Sequence, residues 1–233
     1  MNKNGKLSIV ATPIGNLGDM TPRGIETLKT CDVIFAEDTR NSKKLLMHFD
    51  ITTSCHSCHE YSDRKVFDEI VGRLQKGEHV SYISDAGTPG VSDPGGFLVN
   101  FTRKMAPDAT IEPIPGVSAL AAQMSISGII GEQPVVFMGF LPKKKGRQTI
   151  LKKIETLLTE FEYHIIIYES PYGIIKLLDD CAKLSCTLVI GRELTKMFET
   201  VYVGTPIEIK EQLLQEFKNN TPKGEFVITV SPV

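Results

Sequence analysis

The chain has 233 residues, 41% hydrophobic and 23% charged, and its 26 Lys and Arg nearly balance its 28 Asp and Glu to give a net charge of −2. This composition is typical of a globular protein with one large or two small domains, and it excludes collagen-like, disordered and disulfide-framework classes. No apolar run approaches the roughly 20 residues that a spanning helix needs, so we expect a cytoplasmic protein without a membrane partner.

Short apolar stretches alternate with amphipathic stretches of helical length, which favours an α/β fold. In the first half, the predicted strands are 7–11, 33–36, 80–84 and 110–113. One helix is predicted to begin at Pro22 with Thr21 as its cap, and others cover 42–49, 63–76 and 97–105, with a further helix opening at 115–119. Gly77 is expected to end the helix over 63–76.

The pattern pauses around 127–134, and we place a domain boundary there, between domains 1–130 and 131–233. In the second domain the predicted strands are 135–140, 164–168, 187–191, 200–203 and 226–230. Helices are predicted over 147–160, after Pro171 and over 207–218. Two α/β domains imply a cleft between them, where ligands commonly bind.

Three loops rich in Gly and Pro follow predicted strands of the first domain, at 12–18, 85–96 and 115–119. In an open α/β sheet, the carboxyl ends of the strands form the ligand crevice. Glycines there let the backbone approach a ligand closely, and prolines stiffen the approach. Neither G-x-G-x-x-G nor G-x-x-x-x-G-K-[ST] occurs in the sequence, so a nucleotide-like ligand has to be held in another way.

Three charged segments have both a functional and a structural interpretation. Residues 37–40 and 191–196 each follow a predicted strand and mix acidic with basic side chains. Helix capping or ion pairing alone could explain them. Residues 143–147 form a basic run, continued by Lys152 and Lys153, which is either a solvated helix entry or a patch for a polyanion.

The segment Cys55-His56-Ser57-Cys58-His59 matches the C-x-x-C-H pattern and also contains metal-ligand types. We interpret the match as incidental, because haem attachment of this kind belongs to exported proteins and no second ligand pair for zinc is evident. The five cysteines are an odd number, spread thinly, and are expected to be reduced thiols. We therefore predict no metal site.

Seven motifs, in order along nearly the whole chain, resemble the ribosomal RNA small subunit methyltransferase I family, which is part of the tetrapyrrole methylase superfamily of S-adenosylmethionine-dependent enzymes. The motifs are Ala11-Thr12-Pro13-Ile14-Gly15-Asn16-Leu17, Glu37-Asp38-Thr39-Arg40, Ser84-Asp85-Ala86-Gly87-Thr88-Pro89, Pro115-Gly116-Val117-Ser118-Ala119, Gly139-Phe140-Leu141-Pro142, Tyr168-Glu169-Ser170-Pro171 and Gly191-Arg192-Glu193-Leu194-Thr195-Lys196.

The resemblance implies a two-domain α/β homodimer of class III methyltransferase type, with S-adenosylmethionine in the interdomain cleft. It implies transfer of a methyl group to the 2′-hydroxyl of a cytidine ribose in the decoding region of 16S rRNA, free or in the small ribosomal subunit. The positions that correspond to cofactor contacts in the superfamily are Pro13, Asp85, Thr88, Ser118, Ala119 and Met138.

Methyl transfer needs aligned reacting atoms, and a ribose hydroxyl also needs an acceptor for its proton or a cation beside the developing oxyanion. Our hypothesis is that six charged residues line the acceptor side: Glu37, Asp38, Arg40, Arg192, Glu193 and Lys196. Which carboxylate is the base stays open. Lys143, Lys144 and Arg147 are predicted to bind RNA phosphates.

Two alternatives belong to other classes of function. A methyltransferase of the same superfamily acting on a tetrapyrrole has no need for the basic run at 143–147 or for the charged loop at 37–40, so these features favour RNA. A non-enzymatic RNA-binding module for ribosome assembly would use the same basic run, and it would have no affinity for S-adenosylmethionine.

Overall fold

The computed structural model describes residues 4–59, 63–130 and 133–233, and the chain divides into two compact units, Met1–Ser118 and Ala119–Val233. Each unit is built around one five-stranded sheet with helices packed against it. The predicted α/β class is confirmed.

The first unit has a sheet in the order β3-β2-β4-β1-β5, with every neighbouring pair parallel. Its strands are β1 (Lys6–Val10), β2 (Val33–Ala36), β3 (Cys55–Ser57), β4 (His79–Ile83) and β5 (Thr110–Ile114). Its helices are α1 (Pro22–Thr30), α2 (Thr39–His48), α3 (Arg64–Gln75) and α4 (Gly95–Met105), with a 3-10 turn at Leu17–Asp19. Because the strands are parallel, their carboxyl ends all meet at one edge of the sheet.

The start of α1 and the end of α3 have the predicted capping residues, whereas α2 begins earlier than predicted. The Thr21 hydroxyl accepts a hydrogen bond from the Gly24 N–H at the start of α1, and Pro22 occupies the first helical position. Gly77 follows α3 with φ +85°, a conformation that glycine adopts without a Cβ penalty. Asp38 caps α2 through the Arg40 N–H, so that helix begins three residues earlier than the predicted residue 42.

Both faces of this sheet are buried, which fixes the direction in which its loops leave. On one face, Phe35 and Tyr82 pack with α3 and α4 residues such as Phe67. On the other, Ile34 and Ile83 pack with α1 and α2. With both faces covered, the loops at the carboxyl edge are the part of the sheet left open to a ligand.

The second unit has a mixed sheet in the order β6-β7-β10-β8-β9, parallel only between β6 and β7. Its helices and strands are α5 (Ala119–Ile126), β6 (Val135–Phe140), α6 (Arg147–Thr159), β7 (His164–Glu169), α7 (Ile174–Cys181), β8 (Cys186–Arg192), β9 (Thr200–Gly204), α8 (Pro206–Glu216) and β10 (Phe226–Pro232). Residues of α6, α7 and α8, including Ile154, Leu177 and Leu213, form one core with alternate residues of the strands.

The division between the units falls between Ser118 and Ala119, earlier than the predicted boundary after residue 130. The reason is that α5 packs on the second sheet. Its buried Gln123 donates from Nε2 to the Val189 carbonyl oxygen at 2.8 Å, and its Oε1 accepts from the Gly191 N–H at 3.1 Å. Among the described residues, no helix is long and apolar enough to cross a membrane.

Candidate functional site

The three Gly- and Pro-rich loops of the first unit lie side by side at the carboxyl edge of its sheet. Thr12 and Gly87 exchange two backbone hydrogen bonds, of 2.9 and 3.0 Å, which join the loop after β1 to the loop after β4. The Thr88 hydroxyl donates to the Val117 carbonyl oxygen at 2.9 Å, which joins the loop after β4 to the loop after β5. The loops that composition singled out therefore form one surface.

Two glycines are needed for this packing. Gly87 has φ +79°, and a Cβ there would lie 3.3 Å from the Ile14 Cγ2 atom. Gly116 sits so close to β1 that an added Cβ would come 2.9 Å from the Cβ of Ala11. The close packing of the three loops at this edge therefore depends on these two glycines.

An acidic cluster spans the loops after β2 and β4. The Asp85 N–H donates to Glu37 Oε2 at 3.2 Å, and the Asp38 N–H donates to Asp85 Oδ1 at 3.1 Å. The Asn41 side chain donates from Nδ2 to Asp85 Oδ2 at 3.3 Å. The structure thus brings Glu37 and Asp38 next to Asp85 as neighbours. Sequence reasoning missed Asn41, for which the only signal was its position in the first turn after a strand end.

Asp38 and Arg40 form an ion pair at the rim of this cluster, with Arg40 Nη2 2.7 Å from Asp38 Oδ2. Hydrogen bonds from the Arg40 side chain and backbone lower the pKa of Asp38 from 3.8 to about 2, and the carboxylate in turn raises the pKa of Arg40. Both Asp38 oxygens accept hydrogen bonds from Arg40. Asp38 is therefore a weak proton acceptor, since a general base works best with a pKa near the operating pH.

The predicted charged residues of the second unit are engaged with one another. Glu193 Oε1 accepts from the Lys196 ammonium at 2.8 Å and from the Glu225 N–H at 2.9 Å. Burial raises the pKa of Glu193, but these hydrogen bonds and the positive charges of Lys196 and Arg192 together place the net pKa below its usual value. Burial lowers the pKa of Lys196, but its contacts with Glu193 and Glu225 raise the net pKa above the usual value. Both side chains are charged at neutral pH.

Arg192, predicted to line the acceptor side, is buried and makes its contacts within the second unit. Its Nε donates to the Lys223 carbonyl oxygen at 2.7 Å, and its Nη1 lies 3.1 Å from Glu216 Oε1. Its guanidinium carbon lies 4.8 Å from the centre of the Phe217 ring. These contacts join β8 to α8 and to the segment before β10, so we assign Arg192 a structural role.

Arg147 is also buried, which corrects its predicted role as a phosphate ligand. Its side chain is 5% exposed, and its Nε lies 2.8 Å from Asp180 Oδ2. Its Nη1 donates to the Pro142 carbonyl oxygen at 3.2 Å. Lys143 and Lys144 are exposed, as a contact with a polyanion requires. The basic run therefore contains two kinds of cation, one holding the fold and the others facing solvent.

The residues assigned to the cofactor by resemblance occupy different settings. Asp85 is exposed at the loop surface, and Pro13 and Thr88 are half-buried beside it. Ser118 ends the first unit and Ala119 begins α5 of the second. Met138 is half-buried and packs against the core of the second unit at a bulge in β6. The contacts of these residues with a cofactor stay predictions.

The C-x-x-C-H segment begins with the edge strand β3 and continues beyond its end, and side chains along a strand alternate between the faces of the sheet. Cys55 packs with the core on one face and Cys58 with the core on the other. Burial raises the pKa of Cys55 to about 11 and that of Cys58 to about 12. In the part of the chain that the structure describes, no group of His, Cys, Asp and Glu is arranged to hold a metal ion.

The family described as Tetrapyrrole (Corrin/Porphyrin) Methylases matches residues 6–210. A protein named ribosomal RNA small subunit methyltransferase I from Synechocystis sp. is 43% identical, over 97% of this chain and 79% of that protein. A protein of the same name from Borrelia garinii subsp. bavariensis is 39% identical, over 97% of this chain and 98% of that protein.

Among solved structures, a uroporphyrin-III C-methyl transferase from Thermus thermophilus, complexed with S-adenyl homocysteine, matches with a TM-score of 0.62. The match covers 97% of both chains at 13% sequence identity. At this identity the likeness concerns the fold.

Proposed function

This chain belongs to the Tetrapyrrole (Corrin/Porphyrin) Methylases and, within them, to the ribosomal RNA small subunit methyltransferase I proteins, and from this premise we propose that it methylates small-subunit rRNA. Specifically, it is an S-adenosylmethionine-dependent enzyme that methylates the 2′-hydroxyl of a cytidine ribose in the decoding region of 16S rRNA. The observation that carries the proposal is the convergence of three Gly- and Pro-rich loops and an acidic cluster at one sheet edge.

The first-unit loops fit the methyl donor by their chemistry. Gly87 and Gly116 let the loops pack closely against one another, since a Cβ at either position would meet Ile14 or Ala11, and this packing fixes the shape of the edge. The exposed carboxylate of Asp85 can accept hydrogen bonds from ribose hydroxyls or from the amino group of the donor. S-adenosylmethionine supplies an activated methyl group on sulfur. Pro13 and Thr88 would shape the loops around it, and Ser118, Ala119 and Met138 stay predicted contacts.

Glu37 is the carboxylate we assign as proton acceptor for the ribose hydroxyl. Asp38 forms an ion pair with Arg40 and has a pKa of about 2, so it is a weaker base. Asp85 is bound by the Asp38 N–H and the Asn41 amide. Glu37 is half-buried and is held in place by the Asp85 N–H. Arg40 is exposed at the rim and can approach an RNA phosphate.

Lys143 and Lys144 supply exposed positive charge to hold RNA phosphates, and Glu193 and Lys196 complete the set of residues proposed for the acceptor side. The family resemblance extends the proposal to a homodimer in the cytoplasm.

The direct test measures transfer of a labelled methyl group from S-adenosylmethionine to small ribosomal subunits and to free 16S rRNA, followed by mapping of ribose methylation. We expect one cytidine of the decoding region to gain a 2′-O-methyl group. A tetrapyrrole precursor serves as the negative substrate. Methylation of the tetrapyrrole without methylation of RNA would refute the proposal.

The role of Glu37 is tested by Glu37→Gln, which keeps the size and one acceptor oxygen of the side chain. We expect kcat to fall by about 10²–10⁴-fold, the usual contribution of a general base, with unchanged affinity for the methyl donor. Glu26→Gln on the exposed face of α1 is the matched control. If Glu37→Gln keeps wild-type kcat, another group takes the proton.

A further inference from the structure

The second unit carries a groove along α6, with a volume of about 510 Å³. We call it the α6 groove. The residues that line it are Gln148, Thr149, Lys152, Lys153, Thr156 and two apolar residues, Met138 and Leu157. It lies within the second unit, on the helix that follows the lysine loop at 143–145.

The sequence of α6 explains why this face is polar. Ile154 and Leu158 are buried in the core of the second unit. The positions that line the groove recur at spacings of three and four, which places them together on another face of the helix. Two lysines, two threonines and a glutamine of α6 therefore line the groove together with the apolar side chains of Leu157 and Met138.

The lysines in and beside the groove carry positive charge that is not balanced by ion pairs among the described residues. Lys152 and Lys153 are exposed, as are the three lysines of the preceding loop, and none of the five pairs with a carboxylate among the described residues. The residues that line the groove include no Asp or Glu. Five positive charges on consecutive turns of chain form a local basic surface on a protein with a net charge of −2.

Hydrogen bonds to its backbone carbonyl oxygens hold the lysine loop in place. The Arg147 side chain donates to the Pro142 carbonyl oxygen, and the Arg147 N–H donates to the Lys144 carbonyl oxygen, both at 3.2 Å. The Lys176 ammonium donates to the Lys143 carbonyl oxygen at 3.0 Å. The loop that presents the charges is thus fixed by buried and backbone contacts, which reduces the entropy lost on binding.

We propose that the α6 groove is a binding site for a single strand of the RNA substrate, which extends the basic surface of the lysine loop along α6. Lys152 and Lys153 bind phosphates, and the hydroxyl of Thr149 and the amide of Gln148 bind ribose 2′-hydroxyls, which can donate and accept hydrogen bonds. This inference rests on the proposed function for the identity of the polyanion.

The test is the salt dependence of binding to an unmethylated 16S rRNA fragment of the decoding region. For single strands, the slope of log K against log salt changes by about 0.7 per phosphate contact, so Lys152→Ala/Lys153→Ala should reduce it by about 1.4. The KM for RNA should rise, with kcat at saturating RNA and affinity for the methyl donor unchanged. The matched control is Lys65→Ala/Lys104→Ala, which removes two exposed lysines from helices of the first unit.

A second variant distinguishes binding that is specific for RNA from binding that any polyanion would show. Thr149→Val keeps the charge and the shape and removes one hydroxyl, so we expect a loss of about fivefold in affinity for RNA, as for one hydrogen bond. Affinity for DNA of the same sequence should not change. Equal losses for RNA and DNA, or no loss for RNA, would overturn the ribose contact.

If the slope of log K against log salt is the same for the lysine variant and for the control, the α6 groove is not an RNA-binding site. Binding is measured without catalysis, so this outcome is distinct from failure of the proposed function. If the wild-type protein binds the fragment but transfers no methyl group to any rRNA, the proposed function fails and the slopes still decide on the groove.

Discussion

The two units use their charged residues in opposite ways. In the first, a fully parallel sheet brings Glu37, Asp38 and Asp85 to one edge, where backbone N–H groups of neighbouring loops hold them at the surface. In the second, a mixed sheet sends loops to both ends, and Arg147 and Arg192 lie below the surface against Asp180 and Glu216. Charged segments that look alike in the sequence therefore lie at a loop edge in the first unit, whereas Arg147 and Arg192 of the second unit are buried in ion pairs.

The charged residues compared in the two units differ in how deeply they are buried. A carboxylate or guanidinium that keeps contact with water can bind a ligand, whereas a buried ion pair has lost its water and depends on its partner. The predictions below test this contrast by removing a buried charge, by distorting the loop edge and by titrating a surface charge.

The largest effect is expected from Arg147→Ala. The substitution leaves Asp180 buried without the guanidinium and releases the Pro142 carbonyl, so the free energy of unfolding should fall by about 3–5 kcal/mol. Chemical denaturation, followed by circular dichroism, measures it.

Lys144→Ala is the control for this experiment, because the same loop loses an exposed charge. We expect its stability to change by no more than about 0.5 kcal/mol. If Arg147→Ala is as stable as Lys144→Ala and instead weakens RNA binding, Arg147 is a phosphate ligand after all and the contrast between the units fails.

An intermediate effect is expected from Gly87→Ala in the loop after β4. A residue with a Cβ pays about 1–2 kcal/mol at positive φ, and the new methyl group also meets Ile14. We expect a loss of stability of that size. Displacement of the loop should also weaken binding of S-adenosylmethionine by on the order of tenfold, measured by calorimetry.

Gly96→Ala is the matched control for Gly87→Ala. Gly96 lies in the first turn of α4, and an added Cβ there meets nothing within 4 Å. Alanine should stabilise the protein by about 0.4–1 kcal/mol and leave donor affinity unchanged. Equal donor affinity in both variants would show that the shape of the loop edge does not matter for binding.

Much of the fold could be predicted because local signals agree with the tertiary structure. The strands at 33–36 and 135–140 have the predicted bounds, since each is an apolar run flanked by polar or turn residues. β3 was missed because Cys55–Ser57 is short, lies at the sheet edge and contains His and Ser. α5 was assigned to the wrong side of the boundary, because its packing on the second sheet depends on contacts such as Gln123 with Thr229.

The candidate site was predictable only in part. Glycine and proline at strand ends mark loops, and a parallel sheet gathers those loops at one edge. The sequence could not show that Asp85 meets Asp38 or that Arg147 meets Asp180, since these partners lie 47 and 33 residues apart. Burial of an arginine follows from such pairings, and no local pattern in 143–147 distinguishes Arg147 from the lysines beside it.

The smallest effect is expected from the surface pair of Asp38 and Arg40. The pKa of Asp38 falls from 3.8 to about 2 on folding, so the pair stabilises the folded state above about pH 4 and the contribution is lost as the pH falls towards 2. Asp38→Asn keeps a good helix cap and removes the charge. Its difference in stability from the wild type should therefore be largest near neutral pH and shrink as the pH falls from about 4 through 2. Because the pair is exposed to solvent, the difference should shrink at high salt.

Asp63→Asn is the control for this titration, because Asp63 caps α3 through the Lys65 N–H and forms no ion pair within the described residues. Denaturation curves of both variants between pH 2 and 7 measure the effect. If Asp38→Asn and Asp63→Asn show the same dependence on pH, Arg40 does not lower the pKa of Asp38. The argument against Asp38 as the base would then fail, and Asp38 would compete with Glu37 for that role.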